Sequence, residues 1–393
     1  MNIELCPVCG CERCTTFLAR HQVPVHQNLV LTSQSDASAA TRGDLILAVC
    51  EACGFVFNRA FDMTLLSYGD GYDNTQSHSH YFDSYLNDLV KDLVEAKGVR
   101  NVRVVEVGCG KGHFLRKLVE FPESGNVGFG FDPSYIGPDV ALDGKLQFQR
   151  KYYDASCTDV GADVVVCRHV IEHVSAPLDL LQAVRAALQD APGARVFFET
   201  PCVEWILENQ VFWDFFYEHC SLFSADTLTL AFERAGFRVD RVAHIFGGQY
   251  LWLEASVATP DGRERRSPAS QMSLAALACG VAEARLRESW VSRLAQLGQG
   301  GRVALWGAGA KGATFANLVD ADRQLIDCVV DVNPAKQGGY IPGTGHAIVG
   351  PAELKARGVN VAILMNPNYR LENLALLKDF GLDSMVLIGV DDA

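Results

Sequence analysis

The sequence lacks long apolar segments and is poor in basic residues. No apolar run approaches the roughly 20 residues that a membrane-spanning helix requires, which excludes an integral membrane protein. Lys and Arg number 34 against 47 Asp and Glu, which leaves a net charge of −13. A chain this acidic has no general attraction for phosphate backbones, which argues against nucleic acid as a partner. The N-terminus has no basic stretch followed by an apolar core, so we expect no signal peptide and a cytoplasmic protein.

The length and the apolar periodicity indicate several α/β units. The 393 residues suggest two or three domains at roughly 150 residues each. The middle strands are predicted at 102–107, 126–131, 163–167 and 194–199, with helices between them near 113–120 and 176–189. The alternation restarts at 302–306, after a helical stretch at 271–297. Helices that alternate with strands favour doubly wound parallel sheets, so the chain is predicted to contain two such units.

Cysteine is concentrated near the N-terminus. Six of the 13 cysteines fall within the first 53 residues, which fits a local metal site better than a disulfide scaffold. Cys6 and Cys9 form one CxxC pair, and Cys50 and Cys53 form another. Each pair is followed by a glycine that permits a tight turn beneath the metal. Four thiolates leave no coordination position open, so the pattern predicts a structural zinc ion.

Two alternatives to this zinc site stay open. Cys11 and Cys14 form a third CxxC pair, which ranks second as a ligand set because it has no trailing glycine. The other alternative is a set of reduced thiols without metal. In either case the 40 residues between Cys9 and Cys50 exceed a compact zinc ribbon and predict an inserted lobe.

A glycine-rich turn follows the strand at 102–107. It reads Glu106-Val-Gly108-Cys-Gly110-Lys-Gly112, and its glycines let the backbone approach a ligand at the carboxyl edge of the sheet. Asp132 ends the next strand, where a carboxylate accepts hydrogen bonds from the two hydroxyls of an adenosine ribose. Glycines at alternate positions after an acid resemble motif I of class I S-adenosylmethionine (SAM) methyltransferases, whereas NAD sites use G-x-G-x-x-G.

The segment 163–173 also resembles later motifs of class I SAM methyltransferases. This resemblance implies that His169 belongs to the cofactor site, together with Glu106, the three glycines of the turn and Asp132.

An aromatic insertion after the fourth strand carries a second candidate site. The sequence Trp213-Asp-Phe-Phe-Tyr217-Glu218-His219 has no place in a minimal Rossmann core. On a loop, Tyr217, Glu218 and His219 are able to converge on a substrate, with histidine titrating near neutrality as a base. The alternative is a histidine at the edge of the core beside packed aromatic side chains.

A second glycine-rich turn opens the last α/β unit. Gly307-Ala-Gly-Ala-Lys311-Gly312 follows a strand, and Asp331 lies nineteen residues later. Taken alone, this pattern satisfies the dinucleotide fingerprint, so an NAD(P)-binding enzyme is an alternative. Lys311 favours a phosphate group.

In its full-length order, the chain resembles the sugar C-3′-methyltransferases of deoxysugar pathways. The four cysteines, the two glycine-rich turns, Tyr217-Glu218-His219 and the segment Gly247-Gly248-Gln249-Tyr250 carry this resemblance. It implies a zinc-binding domain at 1–75 and a Rossmann-like SAM methyltransferase domain at 76–270. A helical linker and a C-terminal Rossmann-like domain at 271–393 complete the expected arrangement.

The resemblance also implies a reaction and its residues. Family members methylate a nucleotide-linked 4-keto sugar at a carbon next to the ketone, through an enolate. His219 corresponds to the base, while Tyr217 and Glu218 look like groups that hold the sugar or orient that base. His173 corresponds to a second active-site histidine, and Tyr72 is a weaker match to an aromatic from the end of the zinc lobe.

The expected cofactors are therefore SAM and a structural zinc ion, and the expected partner is a nucleotide-sugar. We expect a monomer or a small homo-oligomer. Alternatives are an O-methyltransferase, a C-methyltransferase of another small molecule, an NAD(P)-binding enzyme, and a SAM-binding or nucleotide-binding module without activity.

Overall fold

Three β-sheets organise the protein in the computed structural model, which describes residues 5–67, 78–157, 160–257, 269–390 and 392. The first sheet forms an N-terminal lobe from the antiparallel strands β1 (Cys14–Pro24), β2 (Arg42–Cys50) and β3 (Val56–Asn58). Helix α1 (Gln34–Ser38) lies between β1 and β2, so the residues between the two CxxC pairs form the predicted inserted lobe.

The middle of the chain forms an eight-stranded sheet behind helix α2 (His80–Lys91). Its first strands are β4 (Arg103–Val107), β5 (Val127–Phe131), β6 (Val140–Ala141), β7 (Leu146–Gln149), β8 (Val164–Arg168) and β9 (Arg195–Pro201). Helices α3 (His113–Glu120) and α4 (Pro177–Ala187) connect strands of this sheet. The four predicted strands and two predicted helices are thereby confirmed to within one or two residues.

Before its last two strands of the middle sheet, the chain contributes one strand to the N-terminal sheet. After α5 (Val203–Glu208), strand β10 (Ser221–Leu222) pairs with β3 and so belongs to the N-terminal sheet. Helix α6 (Ala225–Arg234) then leads into β11 (Arg238–Ile245) and β12 (Tyr250–Ser256). The resulting strand order is β11-β12-β9-β8-β4-β5-β7-β6, with a parallel core from β9 to β7.

A long helix, α7 (Ala269–Gly298), leads to a five-stranded parallel sheet. Its strands are β13 (Arg302–Trp306), β14 (Cys328–Val330), β15 (Ile348–Val349), β16 (Val359–Leu364) and β17 (Val386–Gly389). Its helices are α8 (Ala310–Val319), α9 (Leu354–Arg357) and α10 (Arg370–Asp379). The strand order is β15-β14-β13-β16-β17, which confirms the second predicted α/β unit.

Shared apolar cores join the three regions. One buried cluster contains Phe55 of the N-terminal lobe together with Phe198 of β9. A second contains Leu45 of the lobe together with Phe315 of α8. Buried Arg20 adds polar contacts, since its Nε atom lies 2.8 Å from a carboxylate oxygen of Glu283 on α7. The relative placement of the three regions is therefore set by packing, which fixes the walls of the space between them.

No helix within the described ranges has both the length and the apolar character needed to cross a bilayer.

Candidate active site

A single large cavity lies between the middle sheet, the C-terminal sheet and the N-terminal lobe. Its volume is about 1330 Å³, and its walls include both glycine-rich turns. This exceeds the roughly 300–1,000 Å³ of an ordinary small-molecule pocket. The candidate residues that line it are Glu106, Gly108, Gly110, Asp132, His169, His173, His219, Gly307 and Lys311. The cavity is thus large enough to accommodate two ligands side by side.

The first glycine-rich turn holds Asp132 in a fixed orientation. The N–H of Gly110 donates to Oδ2 of Asp132 at 2.8 Å, and the N–H of Ser134 donates to Oδ1 at 2.7 Å. Gly110 has φ +53°, and a Cβ built there would meet no atom within 4 Å, so the turn is open at this point. At Gly108, by contrast, a Cβ would lie 2.1 Å from a methyl carbon of Val170, so only glycine fits.

Glu106 lies beneath this turn and is almost completely buried. Its Oε2 accepts a hydrogen bond from the N–H of Leu115 at 3.1 Å. Burial raises the pKa of Glu106 to about 8, although the nearby positive charge of Arg168 acts in the opposite direction. The carboxyl group is therefore mostly protonated near neutral pH until a cation approaches it.

His169 forms part of the cavity wall, with both ring nitrogens facing carboxylates. Its Nε2 lies 2.9 Å from Oε1 of Glu199, and its Nδ1 lies 3.3 Å from Oε1 of Glu172. Burial opposes the charged ring, but the two carboxylates prevail and raise the pKa of His169 to about 9. Arg168 and Tyr85 also donate to Glu199, at 2.7 and 2.8 Å. The ring nitrogens are thus committed to protein groups and leave only the carbon edge for a ligand.

The two predicted active-site histidines meet in the cavity. The ring centroids of His173 and His219 are 4.8 Å apart at an interplanar angle of 86°, and the ring of Phe216 lies 4.0 Å from His219. Burial, followed by the neighbouring His173, lowers the pKa of His219 well below its usual value. The imidazole of His219 is therefore neutral near pH 7 and has a lone pair available for a proton.

Two buried polar atoms in this cluster have no hydrogen-bond partner among the described residues. They are Nδ1 of His173 and Nδ1 of His219. Buried polar atoms are normally satisfied, because an unpartnered one costs about 1–3 kcal/mol. Their concentration beside the cavity indicates a polar group of a ligand at this position.

The expected convergence of Tyr217, Glu218 and His219 is not observed. His219 lines the cavity, whereas Tyr217 and Glu218 do not and are fully buried. The Tyr217 hydroxyl accepts from the N–H of Asp62 at 2.8 Å, and Glu218 accepts from the N–H of Gln27 at 2.9 Å. Both side chains therefore face the N-terminal lobe. Tyr72 lies outside the described residues.

The structure brings together the four cysteines that the spacing predicted. The Sγ atoms of Cys6 and Cys53 are 3.6 Å apart, those of Cys9 and Cys50 are 3.4 Å apart, and all four lie within 4.8 Å of one another. Tetrahedral zinc with Zn–S bonds of about 2.3 Å requires sulfur separations of about 3.8 Å, so the donor set fits this ion. The cluster does not include Cys11 or Cys14.

The second glycine-rich turn repeats the hydrogen bonds of the first. The N–H of Gly307 donates to the carbonyl of Val330 at 2.8 Å. Asp331 accepts from the N–H of Ala308 at 2.9 Å and from that of Asn333 at 2.8 Å. The second turn therefore has the same arrangement of backbone N–H groups and aspartate as the first, at the opposite side of the cavity.

The burial of its lysines distinguishes the second turn, since Lys111 of the first turn is exposed. Lys311 Nζ lies 2.8 Å from Oδ2 of Asp214 and 3.1 Å from Oε1 of Gln249. Lys336 is 95% buried, lines the cavity, and donates to the carbonyl of Ala308 at 3.1 Å. No carboxylate pairs with Lys336 within the described part of the chain. A buried ammonium group without a carboxylate favours an anionic ligand.

Sequence reasoning missed several residues of this site. Lys336 was not identified, although it lies five residues after Asp331, at the edge where a second ligand is expected. Glu199 and Tyr85 were also missed, because they act through Arg168 and His169, which lie 31 and 30 residues before Glu199. The only available signal was the polar residue Glu199 near the end of an otherwise apolar predicted strand.

Comparisons with known proteins agree with this geometry. Residues 78–242 match the family model "Methyltransferase domain", and residues 277–383 match "C-methyltransferase C-terminal domain". The C-methyltransferase NovU of Streptomyces niveus is 27% identical over 96% of this chain and 93% of its own length. A ubiquinone biosynthesis O-methyltransferase of Vibrio vulnificus is 31% identical, but the match covers 29% of this chain and 51% of that protein.

Among solved structures, an N1-methyltransferase of Burkholderia thailandensis that acts on 1,6-didemethyltoxoflavin is 14% identical, with a TM-score of 0.36. The match covers 47% of this chain and 83% of that one.

Two family models and a relative that spans nearly the whole chain thus agree on the reaction type. The chain is a SAM-dependent methyltransferase, and its residues 277–383 match the C-terminal domain of C-methyltransferases.

Proposed function

We propose that the protein transfers a methyl group to a carbon adjacent to a ketone in a nucleotide-linked 4-keto-deoxysugar. The observation that carries this proposal is the single cavity of about 1330 Å³ that both glycine-rich turns line, with His219 also in its wall. In this proposal the chain comprises a zinc-binding domain at 1–75, a methyltransferase domain at 76–270, and a linker with a C-terminal domain at 271–393.

The first glycine-rich turn is the proposed SAM site. SAM supplies an electrophilic methyl group when it is bound. Asp132 is held by the backbone of the turn in a position to accept from ribose hydroxyls, and Gly110 leaves room for close approach. Glu106 provides a carboxyl group that a cationic ligand would bring to its charged form. His169 supports the wall of this site through its carbon edge, since Glu172 and Glu199 face its nitrogens.

The second turn is the proposed site of the substrate's phosphate groups. Its backbone frame matches that of the first turn, but Lys336 and Lys311 supply positive charge. An anion beside Lys336 would compensate a buried ammonium group that pairs with no carboxylate in the described ranges. A nucleoside diphosphate fits this combination of a nucleotide-type turn and a buried cation.

His219 is the proposed base. A carbon next to a ketone loses a proton because the resulting carbanion delocalises as an enolate. His219 is neutral, lines the cavity and has an unpartnered Nδ1, so it is able to take that proton. His173 offers the other unpartnered atom, Nδ1, which we assign to a polar group of the sugar.

The four-cysteine cluster is the proposed structural zinc site. Elemental analysis should find one zinc per chain, and Cys53→Ser should lose it together with the fold of the N-terminal lobe, because closed thiolate sites supply folding energy. Cys11→Ser and Cys14→Ser are matched controls that should retain the metal. Stoichiometric zinc that survives in Cys53→Ser and is lost in the controls would assign the ion to the other pair.

Deuterium exchange distinguishes this proposal from an O-methyltransferase, the alternative that the partial match to the ubiquinone-pathway enzyme favours. The enzyme is incubated in deuterated water with a thymidine-diphosphate 4-keto-6-deoxyhexose, and exchange next to the ketone is followed by NMR. A C-methyltransferase should catalyse this exchange, whereas transfer to oxygen needs no carbon acid. S-adenosylhomocysteine formation without enzyme-dependent exchange would contradict carbon methylation.

Tight NAD binding without SAM binding would favour a dehydrogenase.

A further inference from the structure

The N-terminal lobe holds the chain on both sides of His219. Before the histidine, Tyr217 and Glu218 contact the lobe. After it, the carbonyl of Cys220 accepts from the N–H of Asn58 at 2.9 Å, and β10 pairs with β3 in antiparallel register. Within this stretch His219 alone faces the cavity.

The Glu218 side chain is fully buried and contacts residues 26 and 27. It is 0% exposed, and its Oε2 accepts from the N–H of Gln27 at 2.9 Å. Its Oε1 lies 3.4 Å from Nδ1 of His26. The N–H of Ser67 donates to Nε2 of His26 at 2.9 Å, so Nε2 is an acceptor and Nδ1 carries the proton that faces Glu218. His26 therefore links Glu218 to a second segment of the lobe.

Tyr217 depends on a glycine of the lobe. Its ring packs against Phe61 with centroids 5.3 Å apart, and its hydroxyl accepts from the N–H of Asp62. A Cβ at Gly43 would lie 2.5 Å from a ring carbon of Tyr217. Because that contact is with a rigid ring, any larger residue at position 43 must displace Tyr217.

We infer that the N-terminal lobe positions the base, and that His26 is a positioning residue that acts on His219 through Glu218. This inference rests on the proposed role of His219. The imidazole has an unpartnered Nδ1, so its orientation depends on the backbone and on packing against Phe216 and His173. A displacement of about 1 Å in a reacting group reduces rates by about 100-fold, so a loosened anchor has a large kinetic effect.

The test compares His26→Ala, His26→Gln and Gly43→Ala with His21→Ala. His21 is a matched control, because it is an exposed histidine of the same lobe that pairs with Asp44 at 3.1 Å. Each variant is checked for folding by its melting temperature and for SAM affinity by calorimetry. The deuterium exchange of the thymidine-diphosphate 4-keto-6-deoxyhexose measures the base, and the NMR signal of the His219 ring, assigned with His219→Asn, measures its orientation.

His26→Ala and Gly43→Ala should lower the exchange rate by about 10- to 100-fold and shift or broaden the His219 signal, with SAM affinity unchanged. His26→Gln should restore exchange, because its amide is able to donate to Glu218 and accept from Ser67. His21→Ala should behave as the wild type. Folded His26→Ala with an unchanged His219 signal and exchange rate would overturn the inference. Unchanged exchange in His219→Asn would instead overturn the proposed base, while the ring signal would still report on its anchoring.

Discussion

The glycine-rich turns after β4 and β13 use the same hydrogen-bonding frame at opposite sides of one cavity. In each, the first glycine donates to the carbonyl that ends the neighbouring strand at 2.8 Å, and the aspartate that follows accepts from the backbone of the turn. Their buried side chains differ in charge, while Lys111 of the first turn is exposed. Glu106 lies beneath the first turn, whereas Lys311 and Lys336 lie at the second.

This difference separates what the backbone of the site contributes from what its side chains contribute. The backbone frame offers N–H groups and a carboxylate at the carboxyl edge of a parallel sheet, which suits a nucleotide of any kind. In the proposed function, the charged side chains select the charge of each ligand. A carboxyl group favours the cationic SAM, and the buried ammonium group of Lys336 favours a phosphate-bearing substrate.

The largest expected effect is that of replacing His219, which lines the cavity shared by the two turns. It distinguishes a loss of catalysis from a loss of ligand binding. His219→Asn should reduce methyl transfer and deuterium exchange by about 10²–10⁴-fold, because it removes the proposed general base. The affinities of both turns for SAM and for thymidine diphosphate should stay within about twofold of the wild type, since neither frame is altered. Turnover assays measure the loss of methyl transfer, and calorimetry on the same preparation measures the two affinities. Wild-type turnover in this variant would move the search for the base to His173.

The aspartates provide a matched pair that tests the comparison directly. Asp132→Ala should weaken SAM binding by about 1.5–3 kcal/mol, as expected for a lost hydrogen bond to a charged group. Asp331→Ala should leave SAM affinity unchanged and weaken thymidine diphosphate instead. Calorimetry with each ligand against each variant gives the four values. If Asp331→Ala weakened SAM and Asp132→Ala did not, the assignments of the two turns would be reversed.

Lys336 tests the charge difference alone. Lys336→Met keeps much of the side-chain volume and removes the positive charge, so thymidine diphosphate should bind about 10- to 50-fold more weakly. SAM affinity should not change. Exposed Lys145 lies away from the cavity, and Lys145→Met serves as the control. Equal affinities in wild type and Lys336→Met would show that the second turn does not bind the phosphates.

The smallest expected effect is a pH dependence at the first turn. The pKa of Glu106 is raised to about 8, so a cationic ligand that requires the carboxylate must displace a proton at neutral pH. SAM affinity should therefore rise by about fivefold from pH 7 to pH 8 and by about twofold more up to a plateau above about pH 9, which is about tenfold in total. Calorimetry in buffers of different ionisation enthalpy should detect proton release, and Glu106→Gln should abolish it. Affinity that is independent of pH in the wild type would argue against a contact between Glu106 and the ligand's positive charge.

Local sequence patterns predicted the elements that depend on neighbouring residues. The strand and turn at 102–112 follow from a short apolar run and glycines at alternate positions, so β4 and α3 were predicted to within about a residue. The two CxxC pairs identified the four-cysteine cluster, because the spacing brings both thiols of a pair to one point. The aspartates at 132 and 331 were found for the same reason, since each ends the strand after its turn.

Contacts between residues that are far apart in the sequence could not be predicted from such local patterns. His169 was assigned to the cofactor, but its nitrogens face Glu172 and Glu199, a pairing that depends on how β8 and β9 adjoin. Tyr217 and Glu218 were expected beside His219, but they face a lobe whose partner residues lie 155 and 191 positions earlier. No periodicity in the twelve residues between α5 and β10 indicates which of their side chains will face the cavity and which the lobe.

The sequence by itself thus determined the two glycine-rich turns, the cysteine pairs and the alternation of helices and strands, because these depend on backbone conformation and short spacing. Tertiary structure alone decided that both turns open into one cavity and that Lys336 lies there without a carboxylate partner in the described ranges. It alone decided that His219 faces the cavity while its neighbours anchor the loop. The physical reason is that burial and pairing of these groups depend on the packing of three sheets, which shared apolar cores fix and no single segment encodes.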